Sequence, residues 1–226
     1  MSFKKRPGLF GAARHQALAD LNFSLHAGEN LGVLGRNGAG KSTLMALLAD
    51  IIEADEGVVE RNVSSVQLLS LHAGFMPQLS GRQNAIMAGM LLGLRRREIT
   101  NRLDAIIEFS GLQDQIDEPI RTYSTGMRAR LGFAICMQSR PEVLLIDEVL
   151  SVGDAAFRPK ARRIITERIE SDETVVIVSH NEKTLKAYCD RIAWLEDGRI
   201  KLLDAADTVL KAYRESLVGQ GQGASA

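Results

Sequence analysis

The chain has 226 residues, 45% of them hydrophobic and 25% charged, with 28 basic and 28 acidic side chains. That length supports one large domain with its own core, needing no disulfide or metal to fold. The zero formal net charge provides no global basic field for nucleic acid, and no apolar run approaches the ~18–20 residues of a membrane span. Met1–Arg6 is basic, but no apolar core of a secretion signal follows it. The expected compartment is therefore the cytosol, with any membrane link made through a partner. Cys136 and Cys189 both sit in apolar helical contexts, which reads as two buried free thiols in a reducing environment.

In chain order, Leu21–Leu25 alternates apolar and polar residues as a half-buried strand does. A turn at Ala27-Gly28-Glu29-Asn30 precedes a buried strand, Leu31-Gly32-Val33-Leu34. A glycine-rich loop follows, then an apolar helix over Lys41–Ala49. Residues 51–71 read as β-rich with turns at Asp55-Glu56-Gly57 and Arg61-Asn62. From Gly81 to Met137 the pattern is helical: Ile86, Met90, Leu94 and then Leu103, Ile106, Ile107, Phe109 recur at helical spacing. Strand signals return at Val143–Ile146, Val175–Val178 and around Ile192–Leu195, and Glu196-Asp197-Gly198-Arg199 carries a hairpin turn. Strand–helix alternation predicts an α/β fold with a mostly parallel sheet. The predicted organisation is one domain over 1–226: a core of 1–78 and 141–218, a helical insert at about 79–140 and a flexible tail at 219–226.

Gly35-Arg36-Asn37-Gly38-Ala39-Gly40-Lys41-Ser42 matches G-x-x-x-x-G-K-[ST] in full. Glycines let the backbone turn tightly and approach a polyphosphate. The amides then form an anion nest, and the following helix adds its positive end. Gly35, Asn37, Gly38, Ala39, Gly40, Lys41, Ser42 and Thr43 are the candidate ATP-binding residues, with Lys41 reaching the β- and γ-phosphates and Ser42 holding Mg²⁺. Lying between a buried strand and an apolar helix, the loop has the context such a motif requires. Val143–Ile146 ends in Asp147 and Glu148. Ligands bind at the carboxyl ends of strands in open α/β sheets, so Asp147 is placed to hold Mg²⁺ and Glu148 to orient or deprotonate an attacking water.

These residues together resemble the ABC ATPase family over almost the whole chain. The distinguishing piece is Tyr123-Ser124-Thr125-Gly126-Met127-Arg128, which looks like the family's signature, usually L-S-G-G-Q. Ser124 and Gly126 match; Tyr123, Thr125 and Met127 depart from the common form. The resemblance implies a P-loop NTPase core of the ABC type with an antiparallel β subdomain and a helical signature subdomain. It implies a head-to-tail homodimer with two MgATP between the subunits, the Ser124 loop contacting the γ-phosphate held by the other copy. His180, ending Val178-Ser179-His180, matches the switch histidine, and Asp154 of Ser151-Val152-Gly153-Asp154 matches the aspartate of the loop that crosses the dimer interface. Gln78 is assigned as the glutamine that senses Mg²⁺ and the membrane partner, with Gln83 a weaker candidate. Phe3 is assigned to base stacking, with Phe10 and His15 behind it. The family's first strand is not found ahead of Phe3, which suggests a misassigned start or a shortened domain.

Tyr-Ser-Thr-Gly-Met-Arg-Ala-Arg at 123–130, Ile-Asp-Glu-Val-Leu-Ser-Val-Gly-Asp-Ala-Ala-Phe at 146–157 and Leu-Ser-Gly-Arg-Gln-Asn at 79–84 resemble the subfamily that exports capsular polysaccharide, O-antigen or teichoic acid. By that resemblance the chain is an ATP-hydrolysing motor at the cytoplasmic face of the bacterial plasma membrane. It closes as a dimer around ATP and drives a separate permease, which it contacts near Gln78 to Leu94. It matches the short type, without an added carbohydrate-binding domain. Rival readings are a motor for lipid, drug or peptide, a soluble ABC ATPase acting on ribosomes or DNA, and a binding-only cassette, against which the presence of Glu148 argues.

Overall fold

The computed structural model describes residues 2–4, 14–69, 74–147 and 154–222, with side chains from 16 to 218 within those ranges. Its strands are β1 (Ser2–Lys4), β2 (Arg14–Gln16), β3 (Asn30–Leu34), β4 (Val66–Leu68), β5 (Val143–Asp147), β6 (Thr174–Val178), β7 (Arg191–Glu196) and β8 (Arg199–Ala205). Its helices are α1 (Lys41–Leu48), α2 (Gly81–Leu91), α3 (Arg96–Asn101), α4 (Leu103–Ser110), α5 (Thr125–Cys136), α6 (Arg158–Ile169), α7 (Glu182–Tyr188) and α8 (Ala206–Gln222), with a 3-10 turn at Ile120–Thr122. Two compact units emerge: Met1–Leu68, Glu142–Glu148 and Ile169–Ala226 form the first, and Leu69–Pro141 with Val149–Arg168 the second.

The first unit is built on a six-stranded sheet in the order β4-β5-β6-β3-β7-β8. All neighbours are parallel except β7 and β8. β6 is buried at every residue, and β3 and β5 at four of five, which is why they read as unbroken apolar runs. Leu31, Val33, Leu145, Val176, Val178 and Leu195 pack with Leu44 and Met45 of α1. Each such side chain removed from water contributes roughly 1.5–3 kcal/mol. The β7–β8 hairpin turns at Asp197 (φ 46°) and Gly198 (φ 75°), two successive left-handed residues as the Asp-Gly pair predicts. Trp194 of β7 meets Tyr213 edge to face at 5.3 Å, which seats α8.

The second unit has its own core of Ala85, Ile99, Ile106, Leu112, Ile120, Tyr123, Leu131 and Ile135. A trio of aromatic rings, Phe109, Phe133 and Phe157, has centroids 5.4–5.9 Å apart. Phe157 explains one departure from expectation. The predicted helical insert ended near 140, but the second unit also takes in 149–168, because the residue just ahead of α6 is an aromatic that packs on α4 and α5.

Three further expectations change. Leu21–Leu25 keeps its alternation of half-buried and exposed residues but joins no ladder, because no described strand lies beside it; Arg191 instead takes the Ser24 carbonyl at 3.5 Å. Among the described part of 51–71, the only strand is β4. Ile51 and Val58 are exposed, and Gly57 bends the chain at φ 88°, so the β-formers there find no partner. The tail expected from 219 begins as helix, since α8 continues to Gln222; its early turns are anchored by fully buried Val209 and Leu210, and propagation carries past the glycines. At the N-terminus Phe3 itself lies in a strand, β1, which pairs antiparallel with β2, Phe3 opposite His15; no described strand lies ahead of it.

Candidate functional site

Register decides what meets at the carboxyl edge of the sheet in the first unit. Val33 of β3 pairs with Val178 of β6, and Val178 pairs with Asp147 of β5. Neighbouring strands lie about 4.8 Å apart. The glycine-rich loop leaving β3, the Ser179-His180 exit of β6 and the Asp147 carboxylate therefore emerge side by side. Asp147 is half-buried and His180 exposed. Glu148 lies outside the described residues, as do Ser151, Val152, Gly153 and Phe10; of Phe3 and His15 only the backbone is described.

The loop from Gly35 to Gly40 is held in shape by sterics that admit no side chain at two of its glycines. A Cβ on Gly35 would stand 2.4 Å from the Leu195 carbonyl oxygen. Gly40, at φ 102°, would bring its Cβ to 2.7 Å from the Ala17 carbonyl. Arg36, Asn37 and Gly38 are exposed at the loop crest, while Ala39 is buried beneath it. Lys41 is 9% exposed, and its ammonium donates to the Gly35 carbonyl at 2.9 Å and the Arg36 carbonyl at 3.1 Å. The loop thus wraps its own cation.

The head of α1 fits an anion. Its first turn holds no acidic residue, and Gly40 at its N-cap supplies no capping side chain. A helix start leaves backbone N–H groups unpaired and carries partial positive charge. Ser42 is exposed and Thr43 half-buried there. Uncapped amides, a sequestered ammonium and two hydroxyls form a donor set that suits a polyphosphate. Ser42 and the Asp147 carboxylate supply the hard oxygens that Mg²⁺ prefers.

In the second unit, Ser124 caps α5 by accepting the Met127 N–H at 3.1 Å, the role an N-cap serine has anywhere. Gly126 is the more informative residue. The only atom within 4 Å of a Cβ built there is the Ser124 oxygen, at 3.8 Å. Among the described residues no other atom crowds that position, in a first turn where glycine weakens a helix by about 1 kcal/mol. Tyr123, where the common signature has leucine, is buried and donates its hydroxyl to the Gln115 carbonyl at 2.6 Å. That hydroxyl would stand 2.3 Å from a Cβ on Gly81, so the tyrosine and the glycine at the head of α2 fit each other. Burial pushes the Tyr123 hydroxyl's pKa above the usual tyrosine range.

Gln78 is exposed in the turn before α2. Gln83 is occupied: its side chain accepts the Ser80 N–H at 3.0 Å while Ser80 accepts the Gln83 N–H at 3.2 Å, a capping box. Sequence reasoning passed over Asn84. It is fully buried, accepts the Met76 N–H at 2.7 Å and donates to the Met76, Leu79 and Ser80 carbonyls at 2.9–3.0 Å. It therefore holds the turn that carries Gln78. The signal was available, since an asparagine beside Ala85 and Ala88 on the apolar side of a helix needs partners. Asp154 accepts the Phe157 N–H at 3.0 Å in the turn ahead of α6 and lies 3.8 Å from the Arg130 guanidinium.

Comparison with known proteins agrees with this geometry. The family model described as ABC transporter matches residues 18–151. The O-antigen export system ATP-binding protein RfbB of Klebsiella pneumoniae is 41% identical over 209 residues, 92% of this chain and 85% of its own length. The teichoic acids export ATP-binding protein TagH of Lactococcus lactis is 40% identical over 88% of this chain but 42% of its own length. For an O-antigen export protein of Myxococcus xanthus the figures are 40%, 89% and 46%, so this chain spans less than half of either of these two. A solved ATP-binding subunit of an ABC transporter superposes with a TM-score of 0.73 at 21% identity, covering 94% of this chain and 92% of that one. A dimeric post-hydrolysis cassette bound to ADP and Pi gives 0.68 at 18% identity, covering 91% and 96%. With its glycine-rich cradle, the acidic end of β5 and a family match running from Leu18 through both, the chain belongs to the ABC transporter family.

Proposed function

We propose that this chain is the ATP-hydrolysing motor subunit of an exporter for a cell-surface polysaccharide, O-antigen, capsule or teichoic acid. It works as a head-to-tail homodimer on a separate permease, at the cytoplasmic face of the membrane. The observation that carries the cargo is the 41% identity to an O-antigen export ATP-binding protein across 92% of this chain. The uncapped head of α1 around Lys41 supports ATP as the driving ligand.

Lys41 exchanges its two loop carbonyls for β- and γ-phosphate oxygens. Gly35, Asn37, Gly38, Ala39, Gly40 and Thr43 supply the cradle and its amides. Ser42, Asp147 and Gln78 would hold Mg²⁺, which would supply charge neutralisation of the phosphates. Glu148, one residue beyond the end of β5, orients the attacking water and takes its proton. His180 contacts the γ-phosphate from the end of β6, and Phe3 stacks on the base. Ser124 and Gly126 address the nucleotide held by the second copy; a glycine that the described residues do not crowd supports an approach from outside. Asp154 serves the loop between the copies. ATP closes the dimer only because it binds the closed state better.

Affinity purification from detergent-solubilised membranes tests the reading. A stoichiometric polytopic membrane protein is expected to co-purify, and Lys41→Ala to abolish ATP turnover while leaving that capture intact. Recovery of ribosomes or soluble partners alone would reassign the chain to the soluble branch of the family.

A further inference from the structure

The turn between β7 and β8 joins two segments far from it in sequence. Gly198 is buried; it donates its N–H to the Ala39 carbonyl of the glycine-rich loop at 3.1 Å and accepts the Ala19 N–H at 2.8 Å. The Ala17 carbonyl is wedged between two glycines: a Cβ on Gly40 or on Gly198 would stand 2.7 Å from its oxygen. Leu18 is 2% exposed, and its Cδ2 would lie 2.7 Å from the same Gly40 Cβ. Asp20, at φ 51°, pairs with Arg199, the residue after Gly198. Residues 17–20 thus form a strap held against the glycine-rich loop and the hairpin turn at once, all within the first unit.

The turn alone does not account for Gly198. A hairpin turn of this type needs a left-handed backbone, which asparagine also adopts. What excludes every side chain is the strap. The three atoms nearest a Cβ at Gly198 are the Ala17 oxygen, the Ala17 carbonyl carbon at 3.2 Å and the Leu18 Cα at 3.2 Å. All are backbone, so none can swing aside, and an added carbon pushes on the strap rather than on the loop. Gly57 offers the contrast: its φ is 88°, and no atom of the described residues lies within 4 Å of a Cβ built there.

The strap starts one residue after Gln16, which ends β2, and β2 pairs with β1, Phe3 opposite His15. Consecutive Cα atoms are about 3.8 Å apart, so the seat of Ala17 between Gly40 and Gly198 fixes where β2 ends relative to the loop. We propose that Gly198 is a positioning residue for the nucleotide: by admitting the Ala17 carbonyl it sets the spacing between the phosphate cradle and the β1–β2 pair that takes the nucleoside. The inference rests on the reading of Gly35–Thr43 as the phosphate site and of β1 as the base side. A ligand held at both ends gains affinity from its second end only where the spacing of the two sites matches its own length. Gly198 therefore governs the preference for a nucleoside triphosphate over bare triphosphate, while the loop makes the phosphate contacts common to both.

The test is the affinity of the full chain for ATP and for inorganic tripolyphosphate, both with Mg²⁺, measured by isothermal titration calorimetry. Wild type is expected to bind ATP roughly tenfold or more tighter than tripolyphosphate, the contribution of one stacked base. In Gly198→Ala, ATP affinity is expected to fall about tenfold and tripolyphosphate affinity by less than about twofold. Gly57→Ala, with the same left-handed backbone and no obstruction, should keep the wild-type ratio of the two affinities. Asp20→Asn retains a residue that tolerates the left-handed backbone and removes the charge facing Arg199; it should lower the ratio about twofold. It decides the matter if Gly198→Ala does not fold, and an unchanged ratio there then overturns the proposal. Parallel loss of both ligands in Gly198→Ala, or a lower melting temperature with the ratio unchanged, also overturns it. So does an equal loss of the ratio in Gly57→Ala. Wild type binding both ligands equally refutes the positioning role but leaves the loop as a phosphate site, whereas wild type binding neither sinks the nucleotide reading itself and this inference with it.

Discussion

Substituting Gly35 by alanine separates the architecture of the phosphate loop from its chemistry. The added Cβ would stand 2.4 Å from the Leu195 carbonyl oxygen and 3.2 Å from the Ala39 Cβ. An unstrained carbon–oxygen contact is about 3.3–3.6 Å, so roughly an ångström must be found. The obstructing atom is backbone of β7, a strand hydrogen-bonded along β3, with Leu34 opposite Trp194. No flexible side chain can swing aside. Overpacking typically costs 1–3 kcal/mol, and a backbone obstacle places this site at about 3. For a chain of this size 1 kcal/mol moves the melting temperature by about 2–4 °C, so Gly35→Ala should melt roughly 6–12 °C below wild type. Gly38→Ala is the control. Its Cβ meets nothing within 4 Å, but φ is +84°, and a left-handed side chain costs roughly 1–2 kcal/mol. Gly38→Ala should therefore lose less stability than Gly35→Ala, and circular dichroism melts with binding of a fluorescent ATP analogue would read both variants. Gly35→Ala melting within ~2 °C of wild type, or Gly38→Ala proving the more damaging, would show that the close approach of β7 does not shape the loop.

Two other outcomes follow from titratable groups. Arg82 beside Asp117 holds that carboxyl's pKa below its ordinary value. A carboxylate with a depressed folded pKa contributes stability above its unfolded pKa and loses it as pH falls through the folded value. Arg82→Met should therefore melt below wild type at neutral pH, and the gap should close as pH drops below ~4; a gap independent of pH would refute the pairing. Burial, with a smaller contribution from Asp190, pushes the Cys189 thiol up to about 12. Since the thiolate is the reactive form, native protein at pH 8 should resist maleimide at Cys189 until urea exposes it. Intact-mass labelling of the folded chain would contradict that.

Much of the catalytic edge was legible in sequence because it is made of local patterns. A buried strand, a glycine loop and an apolar helix sit within 31–48, and an apolar run ends in Asp147, each readable without knowledge of contacts. The Asp-Gly turn of the β7–β8 hairpin was legible for the same reason, since left-handed φ is a property of single residues. The segments misread were those whose secondary structure depends on a partner. Leu21–Leu25 and 51–65 have strand-like composition, and among the described residues no neighbouring strand receives them.

By itself the sequence determined the phosphate loop, the α/β class and the family, because covalent order and residue type suffice for a motif. Only the tertiary structure decided that β5, β6 and β3 lie adjacent in register, bringing Asp147, Val178 and Val33 into one row. It also decided that Tyr123 fits against Gly81, that Asn84 rather than Gln83 secures the turn carrying Gln78, and that Phe157 draws the start of α6 into the helical unit. These are contacts between residues distant in sequence or between side chains and particular backbone atoms. They are set by packing and hydrogen-bond geometry, which exist only once the chain has folded.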